Sequence, residues 1–165
     1  MRHDSQRLAQ LRHHLILDSA AERAYDEITR LLATSLVVPI TLINFMDEDR
    51  DWFKSMVGLP HCESPAETSF CETFLRSSVD LIVVDDTRLD ERFAAHPLVI
   101  GEPFIRFYAA ARITSAGHTL GTLCAYDMTP RKISVAQIET LQTLATAVMQ
   151  LLDKRKVAGI EPDEV

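Results

Sequence analysis

Apolar residues recur along this chain with the spacing of strands in some segments and of helices in others. Residues 40–46 are apolar on both faces, which predicts a strand in the centre of a sheet. Residues 52–56 and 81–84 have the length and composition of two further strands. Residues 104–114 and 119–127 alternate in polarity and are separated by a short turn, which predicts a hairpin.

Two helices are predicted before the first strand. Leu8, Leu11 and Leu15 recur at intervals of three and four residues, as in a short amphipathic helix. Its apolar stripe is too narrow to fold alone, so we expect it to lie against the rest of the chain. Ser19 and Glu22 have the spacing of a capping box and predict the start of a second helix.

The same capping signal occurs twice more. Ser69 and Glu72 predict the start of a short helix between the second and third strands. Ser134 and Gln137 predict the start of a final helix that reaches about residue 154.

These elements predict an α+β domain. Its central antiparallel sheet carries the N- and C-terminal helices on one face, while loops and a short helix close a pocket on the other. The loops are residues 58–68 and 87–103. In the strand over 104–114, the side chains expected against the helices are Ile105, Phe107, Ala109, Ala111 and Ile113. Those expected to face the loops are Arg106, Tyr108, Ala110 and Arg112, together with Thr122, Cys124 and Tyr126 of the next strand.

Length and charge narrow the possibilities. A chain of 165 residues with 47% apolar residues builds one core, and we divide it into a helical segment 1–18, a domain 19–155 and a flexible tail 156–165. A net charge of −7 with scattered basic residues argues against nucleic acid as a partner. The longest uncharged run, 31–46, is too short to span a membrane, and the N-terminus has no apolar signal core. We therefore expect a soluble, cytoplasmic protein without a membrane partner.

The cysteines and histidines show no metal-site spacing. Cys62, Cys71 and Cys124 cannot all pair and form no C-x-x-C motif, so reduced thiols are expected. His61 and His96 have no ligand spacing relative to these cysteines, and no metal site is predicted.

Five short clusters follow one another in a fixed order: Trp52-Phe53-Lys54-Ser55, Ser69-Phe70-Cys71, Asp90-Glu91-Arg92-Phe93, Ile105-Arg106-Phe107-Tyr108-Ala109 and Gly121-Thr122-Leu123-Cys124. This series resembles a GAF domain of the bacterial signalling type, as found in histidine kinases and diguanylate cyclases. The resemblance implies a PAS-like fold and a sensory role in signal transduction, including two-component systems. It also implies binding of a small molecule, whose identity the sequence leaves unknown.

The resemblance also implies where a ligand would bind. The implied ligand-binding residues are Ser69, Phe70, Cys71, Asp86, Phe93, Arg106, Tyr108, Thr122 and Cys124. No cofactor is required. The bilin-binding members carry a His after their cysteine, whereas Glu72 follows Cys71 here, and we expect neither bilin nor haem. Asn44 lacks the following Lys of the cyclic-nucleotide-binding members.

Some candidate residues have two interpretations. Arg106 either clamps an anionic ligand or forms a salt bridge with Asp85, Asp86 or Asp90. Cys71, near a helix N-terminus, is either a reactive thiol or a small buried apolar residue. No catalytic residue is assigned, and we do not expect an enzyme. The alternative is a thiol-dependent reductase of the free methionine sulfoxide type, in which Cys62 and Cys71 would form a disulfide under peroxide.

The terminal helices are candidates for dimerisation. The final helix has more apolar positions than one sheet can cover, so part of its face either contacts a second copy or packs on the sheet alone. The residues assigned to a homodimer are Leu8, Leu11, Leu15, Ile138, Leu141, Val148 and Leu152. A structural dimerisation module without ligand is a second alternative function. A signalling output domain or a kinase is the further partner that the resemblance implies.

Overall fold

The computed structural model describes residues 1–160, and the side chains of residues 1–155. The last part of the predicted flexible tail, residues 161–165, lies outside the described residues. The described chain contains a six-stranded sheet with the order β3-β2-β1-β6-β5-β4. All neighbouring strands in it are antiparallel. The strands are β1 (Ile40–Met46), β2 (Arg50–Val57), β3 (Glu63–Pro65), β4 (Leu81–Val84), β5 (Phe107–Ser115) and β6 (His118–Asp127).

Long helices and short helices lie on opposite faces of this sheet. The long ones are α1 (Ser5–His13), α2 (Arg23–Leu36) and α5 (Val135–Ile160), and the short ones are α3 (Glu72–Leu75) and α4 (Pro97–Ile100). Residues Ala66–Thr68 and Thr87–Leu89 form 3-10 turns within the predicted loops. The α+β prediction is confirmed, including β1 as a central strand with the predicted bounds. None of the helices in residues 1–160 is both long and apolar enough to cross a membrane.

The two faces of the sheet bury separate groups of side chains, which we call the helix-side core and the loop-side core. Members of the helix-side core are Phe107, Ala109, Ala111, Ile113, Leu123 and Ala125, with apolar residues of α1, α2 and α5. Members of the loop-side core are Phe70, Cys71, Phe93, Tyr108, Ala110, Cys124 and Tyr126. The predicted alternation is therefore correct within β5 and β6. Ile105 is the exception, because it precedes β5 and packs in the loop-side core.

Two of the three predicted capping boxes are wrong. Ser134 and Gln137 do cap α5, since each backbone N–H donates to the other residue's side chain, at 2.7 and 3.1 Å. In contrast, α2 begins at Arg23 after Glu22, whose side chain makes no capping bond, while Ser19 Oγ donates to the carbonyl of Ile16. The short helix begins after Cys71, again without a side-chain cap.

The residues assigned to a dimer are mostly buried within this one chain. Leu8, Leu11, Leu141, Val148 and Leu152 are all in the fold's own interior, and Ile138 is half-buried. Leu15 lies beyond the end of α1 with a positive φ of 53° and is 67% exposed. The outward face of α5 is polar and carries Gln142, Thr143, Thr146 and Gln150. The buried leucines could contact a second copy only if the domain partly unfolded. A dimer would therefore have to form through the outer faces of α1 and α5.

Gly121 provides a test of how closely β1 and β6 approach. A Cβ atom at this position would lie 1.8 Å from the main-chain oxygen of Asn44 in β1. Gly121→Ala is therefore expected to lower the free energy of unfolding by about 3 kcal/mol or more, because β1 and β6 must separate locally. Urea denaturation followed by circular dichroism measures this change.

Gly117 provides the matched control for that substitution. It lies in the turn between β5 and β6 with φ 81°, and a Cβ atom there would meet nothing within 4 Å. Gly117→Ala should therefore lower the free energy of unfolding by only about 1 kcal/mol, the cost of holding an alanine in the left-handed conformation. Equal losses for the two variants would contradict the close approach of the strands.

Candidate functional site

A cavity of about 250 Å³ lies between the loop-side face of the sheet and the segments that cover it. Strands β1, β2 and β6 form its floor, and residues 59–70 and 98–105 form its walls and roof. Its apolar lining residues are Ile40, Leu42, Phe53, Leu59, Phe70, Leu98, Pro103, Ile105 and Tyr126. Its polar lining residues are Asp51, His61, Ser64, Thr68 and Ser69. This volume is slightly below the usual range for ligand pockets, so the cavity suits only a small molecule.

Of the predicted ligand-binding residues, Ser69 and Phe70 line this cavity. Phe70 forms the boundary between the cavity and the loop-side core, because its ring stacks on Phe93 at 5.2 Å and contacts Tyr108 at 5.1 Å. Cys71, Tyr108, Thr122 and Cys124 are completely buried behind that boundary, and Phe93 is 1% exposed. Ligand contact by these buried residues stays a prediction, and in this structure they support the cavity wall from behind.

The two buried thiols share one hydrogen-bonded group. Cys71 Sγ is 2.9 Å from Thr122 Oγ1 and 3.2 Å from Tyr108 Oη. Burial opposes ionisation of Cys71, but hydrogen bonds from Cys124, Thr122 and Tyr108 outweigh it and hold the pKa of this thiol below its ordinary value. Burial raises the pKa of Cys124. Neither of these two thiols has access to solvent, whereas Cys62 is exposed.

Asp86 and Arg106 lie away from the cavity. Asp86 caps a 3-10 turn and pairs with Arg88 at 2.7 Å, beside a separate open cleft at the end of β4. Arg106 donates to the carbonyl of Val99 at 2.9 Å, and its guanidinium lies 5.7 Å from the ring centroid of Phe104. The salt bridge considered for Arg106 is replaced by these contacts, since Asp86 and Asp90 pair with their neighbours Arg88 and Arg92. Within residues 1–155 no group of histidine, cysteine and acidic side chains could hold a metal ion.

Asp51 is the charged residue at the cavity that the sequence analysis missed. Its side chain is 5% exposed, accepts a hydrogen bond from Asn44 Nδ2 at 3.1 Å and forms an ion pair with Arg2 at 3.0 Å. Burial raises the pKa of Asp51, and Arg2 only partly opposes this shift. One signal was present in the sequence. Because side chains alternate along β2, Asp51 shares the loop-side face with Phe53, while Trp52 points to the helix side. A carboxylate buried on that face is costly unless it has a hydrogen-bonding or ionic partner.

Arg2 fastens the N-terminal segment to the cavity wall. Its buried guanidinium donates to Asp51 Oδ1, to Glu72 Oε2 at 2.8 Å and to the carbonyl of Asp47 at 2.9 Å. Arg7 reinforces this position by donating to the carbonyl of Arg2 at 2.7 Å. The first residues of the chain are mostly polar, so the local sequence does not predict that Arg2 is buried.

His96 positions part of the roof. Its Nδ1 accepts a hydrogen bond from the backbone N–H of Leu98 at 3.0 Å, which caps α4 and places Leu98 over the cavity. Its ring lies 4.1 Å from that of Phe70. Burial lowers the pKa of His96, in agreement with a neutral imidazole whose Nδ1 acts as an acceptor.

The Arg2–Asp51 pair gives a testable prediction for stability. Arg2→Met leaves the Asp51 carboxylate buried without its cation and is expected to lower the free energy of unfolding by about 3 kcal/mol. Adding Asp51→Asn removes the unpaired charge, so the double variant should be more stable than Arg2→Met alone. Urea denaturation of the four proteins of this cycle measures the coupling. Additive effects of the two substitutions would contradict a direct pair.

Comparison with known proteins places this geometry in a family. The GAF domain family profile matches residues 20–152. Over 136 residues the chain is 35% identical to the cyclic di-GMP phosphodiesterase PA2567 of Pseudomonas aeruginosa. That match covers 81% of this chain and 23% of the relative, so the chain spans less than a quarter of that protein's length.

Solved structures share the same fold. The GAF domain from the Acinetobacter phosphoenolpyruvate-protein phosphotransferase superposes with a TM-score of 0.65 at 17% identity, covering 93% of this chain and 97% of that one. The free methionine-R-sulfoxide reductase from Neisseria meningitidis, in complex with its substrate, gives a TM-score of 0.62 at 17% identity, covering 94% and 89%. At these identities the likeness concerns the fold alone. Because the family match extends over most of the chain, the chain belongs to the GAF domain family.

Proposed function

We propose that this chain is a cytoplasmic sensory domain that binds a small molecule in the cavity and passes the binding event to a signalling partner. The observation that carries the proposal is the cavity itself, a largely apolar space with a buried carboxylate in its wall. A space used only for packing would be expected to contain apolar atoms alone. The regulated partner would be an output domain such as a cyclic-dinucleotide enzyme or a histidine kinase of a two-component system. The phosphodiesterase relative supports the first of these, because this chain matches only a part of it.

The route for the signal would run through the N-terminal segment. Asp51 lines the cavity and holds Arg2, whose carbonyl is held by Arg7 of α1. Beyond α1, His14 Nδ1 is 3.1 Å from the carbonyl of Leu152, and Arg155 donates to the carbonyl of His14 at 2.8 Å. A ligand that moves the Asp51 carboxylate would therefore disturb contacts that extend to Leu152 and Arg155 in the C-terminal half of α5.

The reductase alternative has less support from the site. A nucleophilic thiol must reach the substrate, and Cys71 is fully buried outside the cavity lining. Cys62 is exposed in the covering loop, but its partner in a disulfide would have to be the buried Cys71. Failure to detect a Cys62–Cys71 disulfide by mass spectrometry after peroxide treatment would remove this alternative.

The first prediction of the sensing proposal concerns ligand occupancy. Native mass spectrometry of gently purified protein should reveal a bound small molecule. Leu59→Trp, which fills the cavity from a half-buried loop position, should lose it. Leu89→Trp is the matched control, because Leu89 is 86% exposed and lies outside the cavity lining. Spectra without adducts for all three proteins, together with no hit in a screen of small fragments, would remove the sensing proposal.

The second prediction concerns the homodimer, which we propose to form through the outer faces of the terminal helices. Light scattering at micromolar concentration should report a dimer. Leu15 is the residue of the predicted set that is accessible, so Leu15→Asp should shift the protein towards monomer with the circular dichroism spectrum unchanged. A monomeric wild-type protein would contradict the dimer, and an empty dimer would instead support the structural dimerisation module.

A further inference from the structure

We propose that the cavity selects small molecules with an apolar body and one head group that donates a hydrogen bond, and that it rejects carboxylates and phosphates. This inference rests on the proposed function and specifies the chemical class of the ligand. It follows from the acceptor atoms of Asp51 and Ser69 in the cavity lining, from the charges around them and from the apolar walls.

In the cavity wall, the Asp51 carboxylate has more acceptor positions than hydrogen-bond donors around it. An ionised carboxylate offers about four acceptor positions. Two acceptor positions of the Asp51 carboxylate are occupied, one by Arg2 and one by Asn44 Nδ2. The Oδ1 atom of Asn44, which is not among the cavity-lining residues, is also buried without a partner, because its amide turns the Nδ2 group towards Asp51.

Ser69 adds a second polar atom without a partner. Its Oγ is buried in the cavity wall beside the Asp51 carboxyl and favours the ionised form of that group, but makes no hydrogen bond of normal geometry. Buried polar atoms are almost always hydrogen-bonded in native proteins. A ligand N–H or O–H group placed between Asp51 and Ser69 would supply the missing bond.

The charges around Asp51 argue against an anionic ligand. Arg2 is the nearest cation, and its charge is already shared between Asp51 at 3.0 Å and Glu72 at 2.7 Å. None of the cavity-lining residues that the structure describes is a lysine or an arginine. A carboxylate or phosphate next to Asp51 would therefore find no lysine or arginine in the lining, whose remaining basic side chain is His61. Like charges in a poorly solvated site repel strongly.

The walls determine the body of the ligand. The rings of Phe53, Phe70 and Tyr126 and the aliphatic side chains of Leu42 and Ile105 surround the space. A volume of about 250 Å³ accommodates one or two fused rings with a short substituent. The expected ligand is thus a small aromatic or aliphatic amine, alcohol or N–H heterocycle.

Four probes with one ring system separate the features of this class. Indole has the N–H donor, N-methylindole lacks it, tryptamine adds a cation and indole-3-acetate adds an anion. Titration calorimetry with the full chain should show binding of indole and tryptamine. N-Methylindole should bind at least about ten-fold more weakly, the loss expected for a missing hydrogen bond to a charged acceptor. Indole-3-acetate should not bind.

Three variants test whether Asp51 accepts the hydrogen bond that the ligand N–H group donates. Asp51→Asn removes the charge from the cavity and one carboxylate partner from Arg2. Glu72→Gln removes the other carboxylate partner of Arg2 and leaves the cavity lining untouched. Asp51→Asn should reduce the preference for indole over N-methylindole to within about three-fold, and Glu72→Gln should retain it. Ser69→Ala touches no ion pair and should also reduce the preference, so the test survives if Asp51→Asn fails to fold.

The outcomes separate this inference from the proposed function. Equal binding of indole and N-methylindole, or binding of indole-3-acetate as tight as that of tryptamine, would overturn the ligand class while leaving a ligand-binding cavity. Identical preferences in Glu72→Gln and in the two cavity variants would also overturn it. Absence of binding by all four probes would overturn the ligand class and count against the proposed function as well.

Discussion

Both faces of the sheet are covered, and this double burial is the constraint that shapes the rest of the molecule. Alternate side chains of β5 and β6 must pack against helices on one side and against largely irregular backbone on the other. Helices present an apolar stripe readily, whereas loops do not. The loop side is therefore filled by aromatic rings, with Phe70 in contact with Phe93, Tyr108 and Tyr126. Beyond these rings, towards Asp51, packing is incomplete and the cavity forms.

The ion pair of Arg2 with Asp51 connects this incomplete packing to the N-terminal segment. Removing a carboxylate from water costs several kcal/mol, so an ionised Asp51 is tolerable only with a cation and a hydrogen-bond donor beside it. Arg2 and Asn44 provide both. Because the atoms that neutralise Asp51 also hold the N-terminal segment, the free energy of a ligand bound at Asp51 would depend on the position of that segment. The reverse would hold to the same extent.

Most of the sheet could be predicted from the sequence because it depends on local periodicity. The bounds of β1 and the two faces of β5 and β6 follow from side-chain alternation, which is imposed by the strand itself. The capping boxes at Ser19 and Ser69 were wrong because a serine followed by a glutamate at that spacing also occurs in turns. The residues behind the cavity were correctly assigned to the loop-facing side, but alternation does not tell which of them reach an open space. Arg2 lies 49 residues from Asp51 in the sequence, and local patterns do not predict contacts at that separation.

The size and charge of the cavity also exclude one candidate ligand. Cyclic di-GMP, the molecule in the relative's name, carries two phosphates and two guanine bases. A cavity of about 250 Å³ is too small for it, and Asp51 would repel its phosphates. A ligand of this cavity would therefore be a molecule other than cyclic di-GMP.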